Sequence, residues 1–384
     1  MGGVTDDGAT GDEERAARMR LARLAEPGDE RLGAAVRATS ACEVLDRIEY
    51  DDRTLPGVAH YRARLTQDPA ADHERLAEIG GRFLVPGDGE WPTQLMALEA
   101  AAPWGLFVLG ADLRLAAVRS VAVVGARAAT QYGLHVASEL ATDLALRGWT
   151  VVSGGAYGID AAAHRGALAA GGATIAALAF GVDTCYPRGH ATLFARIPDE
   201  GGVLVSELPP GTTPTKPRFL QRNRIIAALT RGTVVVEAAH RSGALSTAAR
   251  CRRLGRPVLS VPGPVTSAMS AGCHQLLRAD EPARLVTDAA EVIEEVGLIG
   301  ELAEPVVPVR RLRDSLDPLS LRVLEAFPAE SPRDAPALAV AAGVDRDRTR
   351  GILLRLVAAG LVREDADGFV RVPGAADAVM PTRP

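Results

Sequence analysis

Val121-Ala122-Val123-Val124-Gly125-Ala126-Arg127 is an apolar run that ends in a glycine turn, and Val151-Val152-Ser153-Gly154-Gly155 repeats this pattern further along the chain. Similar runs occupy residues 174–178, 203–205, 233–236 and 258–261, with helical spacing of leucine and alanine between them. Continuously apolar strands need cover on both faces of a sheet. The sequence therefore predicts an α/β fold with an extended Rossmann-like, doubly wound and mostly parallel sheet over residues 81–300.

Smaller regions flank that sheet in the 384-residue chain. Residues 1–14 are polar and acidic and predict a disordered tail, and residues 15–80 predict a small helical domain. A proline-rich linker is expected at 301–315. Residues 316–374 predict three helices and a hairpin, the order of a winged helix, and residues 375–384 form a second tail.

The composition is typical of a globular protein of the cytoplasm. Hydrophobic residues make up 47% of the chain and aromatic residues 4%, so the apolar mass is mainly alanine, valine and leucine. Because we find neither a secretory signal pattern nor a run of about 18 apolar residues, we expect a soluble protein without a membrane segment. The four cysteines lack C-x-x-C spacing, which favours neither disulfides nor a zinc site.

Basic residues are concentrated in one segment of the chain. The formal net charge is -5, yet residues 201–260 carry 10 basic and 2 acidic side chains, whereas residues 1–90 carry 12 basic and 19 acidic ones. Lys216 is the one lysine, so nearly all of the positive charge is arginine, which binds phosphate in a bidentate manner and stacks on bases. Residues 201–260 are therefore the expected polyanion site, although a GC-rich genome would give the same arginine excess.

Glycine-rich loops follow two of the predicted strands. Ligands of open α/β sheets bind beyond the carboxyl ends of the strands, where Arg127 in one loop and Gly154 and Gly155 in the next are expected to lie. Turns of this kind expose backbone N–H groups that suit an anion, and a purely structural tight turn is the alternative. Neither loop has the G-x-G-x-x-G spacing, and no acidic residue ends the second strand, so we expect no dinucleotide cofactor.

The segment 216–226 has the highest density of candidate site residues. It contains Lys216, Arg218, Phe219, Arg222, Asn223 and Arg224. Arginines supply charge for phosphates, and an aromatic face stacks a base at about 1–3 kcal/mol. The alternative is that the phenylalanine packs in the core among solvated arginines. Arg241, Ser242 and Gly243 open a later helix, where free N–H groups suit an anion or where the serine is a plain N-cap.

Eight short motifs occur in order along the sheet region. They are G-A-R-x-x-T-x-Y-G at 125–133, S-G-G-A-x-G-I-D-x-x-A-H at 153–164, Y-P-x-x-H at 186–190, S-E-x-P-P-G at 206–211, F-x-x-R-N-R-I-I-A at 219–227, V-V-E-A-x-x-R-S-G-x-L at 235–245, V-P-G at 261–263 and G-C-x-x-L-L at 272–277. This series resembles the DNA-processing protein A (DprA/Smf) family over about residues 84–297.

The resemblance implies an extended Rossmann fold, a C-terminal winged helix and, at residues 15–80, a helical domain of the sterile-alpha-motif or helix-hairpin-helix kind. It implies a protein that binds single-stranded DNA without catalysis and without a cofactor or metal. It further implies a homodimer that protects incoming DNA and delivers it to the RecA recombinase in natural transformation. By motif position it assigns DNA contacts to Arg127, Gly154, Gly155, Arg188, Phe219, Arg222 and Arg224. The first 80 residues match the family only loosely.

Two other functions remain open. A nucleotide-processing enzyme of the phosphoribohydrolase type also uses glycine loops on a Rossmann sheet, but its expected P-G-G-x-G-T-x-x-E run is missing. His164 follows Asp160 by four residues and so resembles an acid–base pair, although we favour a structural hydrogen bond. A regulator that reads duplex DNA would use the arginines of the winged helix, weakened by two neighbouring aspartates. These arginines are Arg346, Arg348, Arg350 and Arg355.

Overall fold

The protein consists of two compact units, Met1–Glu304 and Pro305–Pro384. The computed structural model describes residues 7–65, 70–298, 301, 312–328, 331–373 and 375, without the side chains of residues 7–10, 314 and 315. The N-terminal helices and the sheet belong to the same unit. Most of the buried side chains of residues 15–80 form a hydrophobic cluster of their own, and the domain boundary near residue 80 stays a prediction.

Helices and strands alternate through most of the first unit. Its helices are α1 Asp7–Leu24, α2 Glu30–Ala38, α3 Ala41–Glu49, α4 Val58–Arg62, α5 Ala70–Glu78, α6 Leu113–Val118, α7 Gln131–Leu146, α8 Ile159–Ala169, α9 Ala191–Asp199, α10 Lys216–Leu229, α11 Gly243–Arg253, α12 Ala271–Leu277 and α13 Ala289–Val296. Its strands are β1 Arg82–Leu84, β2 Leu106–Gly110, β3 Ser120–Val124, β4 Thr150–Ser153, β5 Thr174–Ala177, β6 Val203–Ser206, β7 Thr233–Val235, β8 Val258–Ser260 and β9 Arg284–Leu285.

These strands form one sheet in the order β1-β2-β6-β5-β4-β3-β7-β8-β9. The strands from β6 to β9 run parallel, and β2 and β1 add an antiparallel pair at one edge. Both faces are covered, since Val121 and Val123 pack against α7, α8 and α13, whereas Ala122 and Val124 pack against α10 and α11. The predicted doubly wound, mostly parallel α/β fold is confirmed.

The position of β3 creates the crevice in which ligands of such sheets bind. The chain builds the sheet from β3 through β4, β5 and β6 on one side and then returns to β3 to place β7, β8 and β9 on the other. The loops after β3 and β7 therefore lead to opposite faces and separate at this switch point. The predicted site loops lie here.

The N-terminal helices begin earlier in the chain than predicted. α1 starts at Asp7, so residues 7–14 are helical and not the expected disordered tail, and residues 1–6 lie outside the described part of the chain. The physical reason lies in the contacts of this first stretch. The Glu14 carboxylate accepts hydrogen bonds from the N–H groups of Ala41 at 2.9 Å and Cys42 at 3.1 Å, which stabilises the start of α3 and holds α1 against it.

The second unit contains three helices followed by a two-stranded hairpin. They are α14 Pro318–Glu325, α15 Ala335–Ala342, α16 Arg346–Ala358, β10 Val362–Asp365 and β11 Gly368–Arg371. The order of elements is that of the sequence prediction, and the winged-helix identification stays a prediction. Most of the predicted linker at 301–315 and the tail at 376–384 lie outside the described residues. Within the described part of the chain, no helix combines the length and apolar character needed to cross a membrane.

A buried histidine fixes the loop after β4. His164 on α8 is fully buried, its Nε2 lies 2.7 Å from the carbonyl oxygen of Gly154, and its Nδ1 lies 2.7 Å from the hydroxyl of Thr174. Burial lowers the pKa of His164 to about 4, so the ring is neutral, and its Nε2–H donates to the carbonyl oxygen of Gly154. Asp160 accepts instead from the N–H of Ala156 at 3.3 Å.

This histidine is expected to make stability depend on pH. Between pH 6.5 and about 4 the unfolded chain binds a proton at His164 that the folded chain excludes, so the unfolding free energy falls by about 3 kcal/mol as the pH falls. Urea unfolding of the first unit, followed by tryptophan fluorescence at several pH values, measures this. The variant His164→Gln should lose that part of the pH dependence, and an exposed-site control, His135→Gln, should retain it. An unchanged pH dependence in His164→Gln would contradict the assignment.

Candidate nucleic-acid interface

A cleft of about 380 Å³ opens at the carboxyl ends of β3 and β7. The loop after β3, the middle of α10 and the start of α11 form its walls. We call it the central cleft. Seven of the residues that the sequence singled out line it, namely Arg127, Phe219, Arg222, Asn223, Arg241, Ser242 and Gly243. Loops that are distant in sequence therefore meet as the switch-point geometry predicts.

A cation and a second aromatic ring contact Phe219, which lines the central cleft. The guanidinium of the exposed Arg127 lies 4.7 Å above the ring of Phe219, and the ring of Tyr186 lies 5.9 Å from the same ring. Phe219 is half-buried and its inner side packs against the core near Phe180, so it is neither a purely buried nor a free side chain. A base can therefore stack at this place either on the Arg127 guanidinium or on the ring of Phe219 after Arg127 has moved to a phosphate.

The floor of the central cleft is a buried arginine. Arg222 is 7% exposed, and its Nη1 donates to the carbonyl oxygen of Ala177. Burial lowers the pKa of Arg222 to about 10, with the charge of Asp160 acting in the opposite direction, so the guanidinium remains charged at neutral pH. Burial raises the pKa of Asp160, and Arg222 opposes that shift. Arg222 therefore supplies positive potential from below the cleft, because little of its surface is accessible to a ligand.

Gly154 and Gly155 do not line the central cleft. A Cβ on Gly154 would stand 2.6 Å from both Nη atoms of Arg222, and a Cβ on Gly155 would stand 2.8 Å from the ring of Phe194. Both glycines are buried, and their carbonyl oxygens are bonded to His164 and His190. The predicted open anion nest is thus corrected, since close packing against side chains explains why glycine stands at both positions.

Arg224 and Arg218 form ion pairs. Arg224 is 3% exposed, both of its Nη atoms donate to the Glu207 carboxylate, and its Nε donates to the carbonyl oxygen of Ala101 at 3.0 Å. Arg218 forms a bidentate pair with Glu26 at 2.9 Å for each bond. Arg224 is therefore a core residue, which corrects its assignment as a DNA contact, and Arg218 points away from the central cleft.

Exposed candidates remain on both sides of α10. Arg241 is exposed at the rim of the central cleft, whereas Arg188 and Lys216 are exposed outside it. The Oγ of Ser242 accepts from the N–H of Ala244 at 3.3 Å and caps α11, so the plain N-cap interpretation holds, and Ser242 also lines the cleft. The amide of Asn223 donates to the carbonyl oxygen of Gly243 at 3.3 Å and joins α10 to this helix start.

The basic excess of residues 201–260 is largely used inside the protein. Besides the two pairs above, Arg231 pairs with Glu301, Arg252 lies 3.7 Å from Glu281, and Arg256 donates to three carbonyl oxygens at the end of α10. The local charge count in the sequence therefore overstates the positive surface. The number of arginines in the segment does not show which of them are exposed and which form internal ion pairs; the structure does.

Glu237 is a positioning residue that the sequence analysis missed. It is 1% exposed, and its carboxylate accepts from the hydroxyl of Thr130 at 2.6 Å and from the N–H of Thr130 at 2.9 Å. This contact ties the loop that carries Arg127 to the end of β7. The sequence did contain a signal for this role, because Glu237 is a carboxylate in the otherwise apolar V-V-E-A stretch that follows a strand.

Replacing Arg224 with glutamate is expected to unfold the first unit. The change places two carboxylates in one buried site, and breaking a buried ion pair costs about 3–5 kcal/mol. Thermal unfolding followed by circular dichroism checks this against an exposed-site control, Arg188→Glu. An Arg224→Glu protein that unfolds at the wild-type temperature would show the pair to be dispensable.

Known proteins share this sequence and fold. The family model of DNA recombination-mediator protein A matches residues 82–297. A putative DNA processing protein DprA of Mycobacterium tuberculosis is 46% identical over 364 residues, which cover 92% of this chain and 92% of the relative. Protein Smf of Escherichia coli is 43% identical over 220 residues, 57% of this chain and 58% of its own.

A solved structure agrees. The X-ray structure of DNA processing protein A from Streptococcus pneumoniae is 30% identical, covers 77% of this chain and 100% of its own, and superimposes with a TM-score of 0.59. Family model, relative and structure agree over the sheet that carries the central cleft. The chain therefore belongs to the DNA recombination-mediator protein A family.

Proposed function

We propose that this protein binds single-stranded DNA in the central cleft. The observation that carries the proposal is the cluster of Arg127, Phe219 and Tyr186, in which the guanidinium lies 4.7 Å from the ring of Phe219 and the two rings lie 5.9 Å apart. Single-strand binding needs an aromatic face for a base next to charge that follows the phosphates. This site offers both within one cleft.

The electrostatics of the central cleft support an anionic ligand. Arg127 and Arg241 are exposed at its rim, and Arg222 adds charge from the floor. Asp160 is the one carboxylate among the lining residues, and it is buried with a raised pKa. The start of α11 adds the partial positive charge of a helix N-terminus.

The shape of the site favours an unpaired strand over a duplex. In a duplex the faces of the bases are stacked on one another, and a protein meets only their edges and the phosphates. The half-buried ring of Phe219 offers a contact that needs a free base face. A duplex would gain the charge of the rim but not this stacking energy.

Membership in a family of recombination mediators supports the wider assignment. In it, a cytoplasmic homodimer protects an incoming strand in natural transformation and passes it to the RecA recombinase. The central cleft is then a holding site that releases its strand to a partner. A site of this kind needs moderate, salt-sensitive affinity, which surface arginines supply.

The proposal includes binding without catalysis. His164 and Asp160, the two groups that an enzyme would use, are engaged in internal hydrogen bonds, and His164 has its pKa lowered to about 4 and no exposed surface. Incubation with nucleoside monophosphates tests this part. Release of free base would identify a hydrolase and overturn it.

Removal of the aromatic platform is expected to weaken binding of a 30-nucleotide dT strand by about 5- to 150-fold, because stacking contributes about 1–3 kcal/mol per base. Fluorescence anisotropy of labelled dT30 measures the effect in Phe219→Ala, with Tyr50→Ala as a control in which a 85% exposed aromatic residue outside the cleft is removed. Arg127→Ala should weaken binding and reduce its salt dependence.

Two results would contradict the proposal. One is wild-type affinity in a folded Phe219→Ala, Arg127→Ala double variant. The other is equal affinity of the wild-type protein for dT30 and for a duplex of the same length, which would instead favour the exposed arginines of α16 in the second unit as the DNA-binding surface, namely Arg346, Arg348, Arg350 and Arg355.

A further inference from the structure

A second groove lies on the other side of the first turn of α10. It has a volume of about 430 Å³ and is lined by residues at the end of α1, by the turn after α4, by the loop after β6 and by Arg218. We call it the N-terminal groove. Neither the motifs nor the function proposed above assigns a role to it, and it involves helices outside residues 82–297, which the family model matches.

The N-terminal groove adjoins the central cleft. Phe219 lines the cleft and Arg218 lines the groove, and these two residues are neighbours on α10. Consecutive side chains on an α-helix diverge by about 100°, so Phe219 and Arg218 face different sides of α10. A strand whose base stacks on Phe219 must therefore pass around the first turn of α10 before its later phosphates meet the groove.

The groove presents arginines without carboxylate partners. Arg64 lines it and donates to the carbonyl oxygen of Leu24 at 3.2 Å, and the Nη1 of the exposed Arg75 lies 2.6 Å from the position of a Cβ on Gly211, in the groove wall. Within the described part of the chain, no carboxylate forms an ion pair with either guanidinium. Arg23, by contrast, is neutralised by the buried Asp72.

A third arginine of the groove, Arg218, is paired with Glu26. The pair is bidentate, and this hydrogen bonding lowers the pKa of Glu26 and keeps it ionised. The Glu26 side chain is 41% exposed and that of Arg218 19%. Pairs with this exposure are weak, whereas a phosphate offers the guanidinium fork the same bidentate geometry.

We propose that the N-terminal groove binds the phosphates that follow the base held on Phe219, so that the N-terminal helices extend the single-strand site. Arg64 and Arg75 contact phosphates directly. Arg218 exchanges Glu26 for a phosphate when the strand is long enough to reach it. The inference rests on the proposed function, because it uses the same strand in the central cleft.

Two DNA ligands of different length distinguish binding in the groove from binding in the cleft. In the full-length protein, the double variant Arg64→Gln, Arg75→Gln should bind dT30 more weakly and with a salt slope smaller by about 1.4, since each phosphate contact on a single strand contributes about 0.7. Binding of a short strand, dT6, to the central cleft should stay as in the wild type. The control Arg37→Gln, Arg53→Gln removes the same charge from two exposed arginines of the N-terminal region outside the groove, one on α2 and one in the turn before α4.

The variant Glu26→Gln tests the exchange at Arg218. It removes the competing charge, so the affinity for dT30 should rise by about 2- to 5-fold, as expected for a partly exposed ion pair, and the affinity for dT6 should not change. Circular dichroism confirms that each variant is folded.

The outcomes distinguish failure of the groove proposal from failure of the proposed single-strand binding in the central cleft. If dT30 binding depends on Phe219 but the Arg64, Arg75 variant keeps the wild-type affinity and salt slope, the groove inference is overturned and the central cleft stands. An equal loss in the Arg37, Arg53 control also overturns it, because the effect would then be one of general charge. Absence of dT30 binding in the wild-type protein overturns the proposed function itself.

Discussion

The packing of the Arg222 guanidinium beneath the carboxyl ends of the strands is the constraint on which the rest of the site depends. It joins α10 to β5 through the carbonyl oxygen of Ala177 and leaves room for nothing larger than glycine at position 154. The opposite charge of Asp160 on α8 offsets part of the cost of burying it. One buried cation thus sets the spacing of two helices and the potential of the cleft between them.

Polar contacts between residues that are distant in sequence then position the exposed residues around the buried Arg222. Glu237 holds Thr130 and with it the loop of Arg127, and Asn223 joins α10 to the start of α11, where Arg241 lies. The groups that meet the ligand are thus few and mostly on loops, while buried groups hold them in position. This division explains why a chain with net charge -5 presents a positive cleft.

The sequence predicts the sheet well because fully covered parallel strands have an unmistakable apolar pattern, and the switch point follows from strand order. It predicts the arginines of the site poorly. Arg218 and Arg224 look no different from Arg127 in the sequence, because their partners Glu26 and Glu207 lie 192 and 17 residues away. The glycines at 154 and 155 do mark a close approach, but to buried side chains and not to a phosphate.

Photo-crosslinking tests the central claim most directly. A single strand that carries 5-iodouracil is irradiated on the protein, and the modified peptides are mapped by mass spectrometry. A base stacked at the mouth of the central cleft should modify Phe219 or Tyr186, which form that aromatic platform. Crosslinks confined to α16 or to other surfaces, with none at these two rings, would contradict the account.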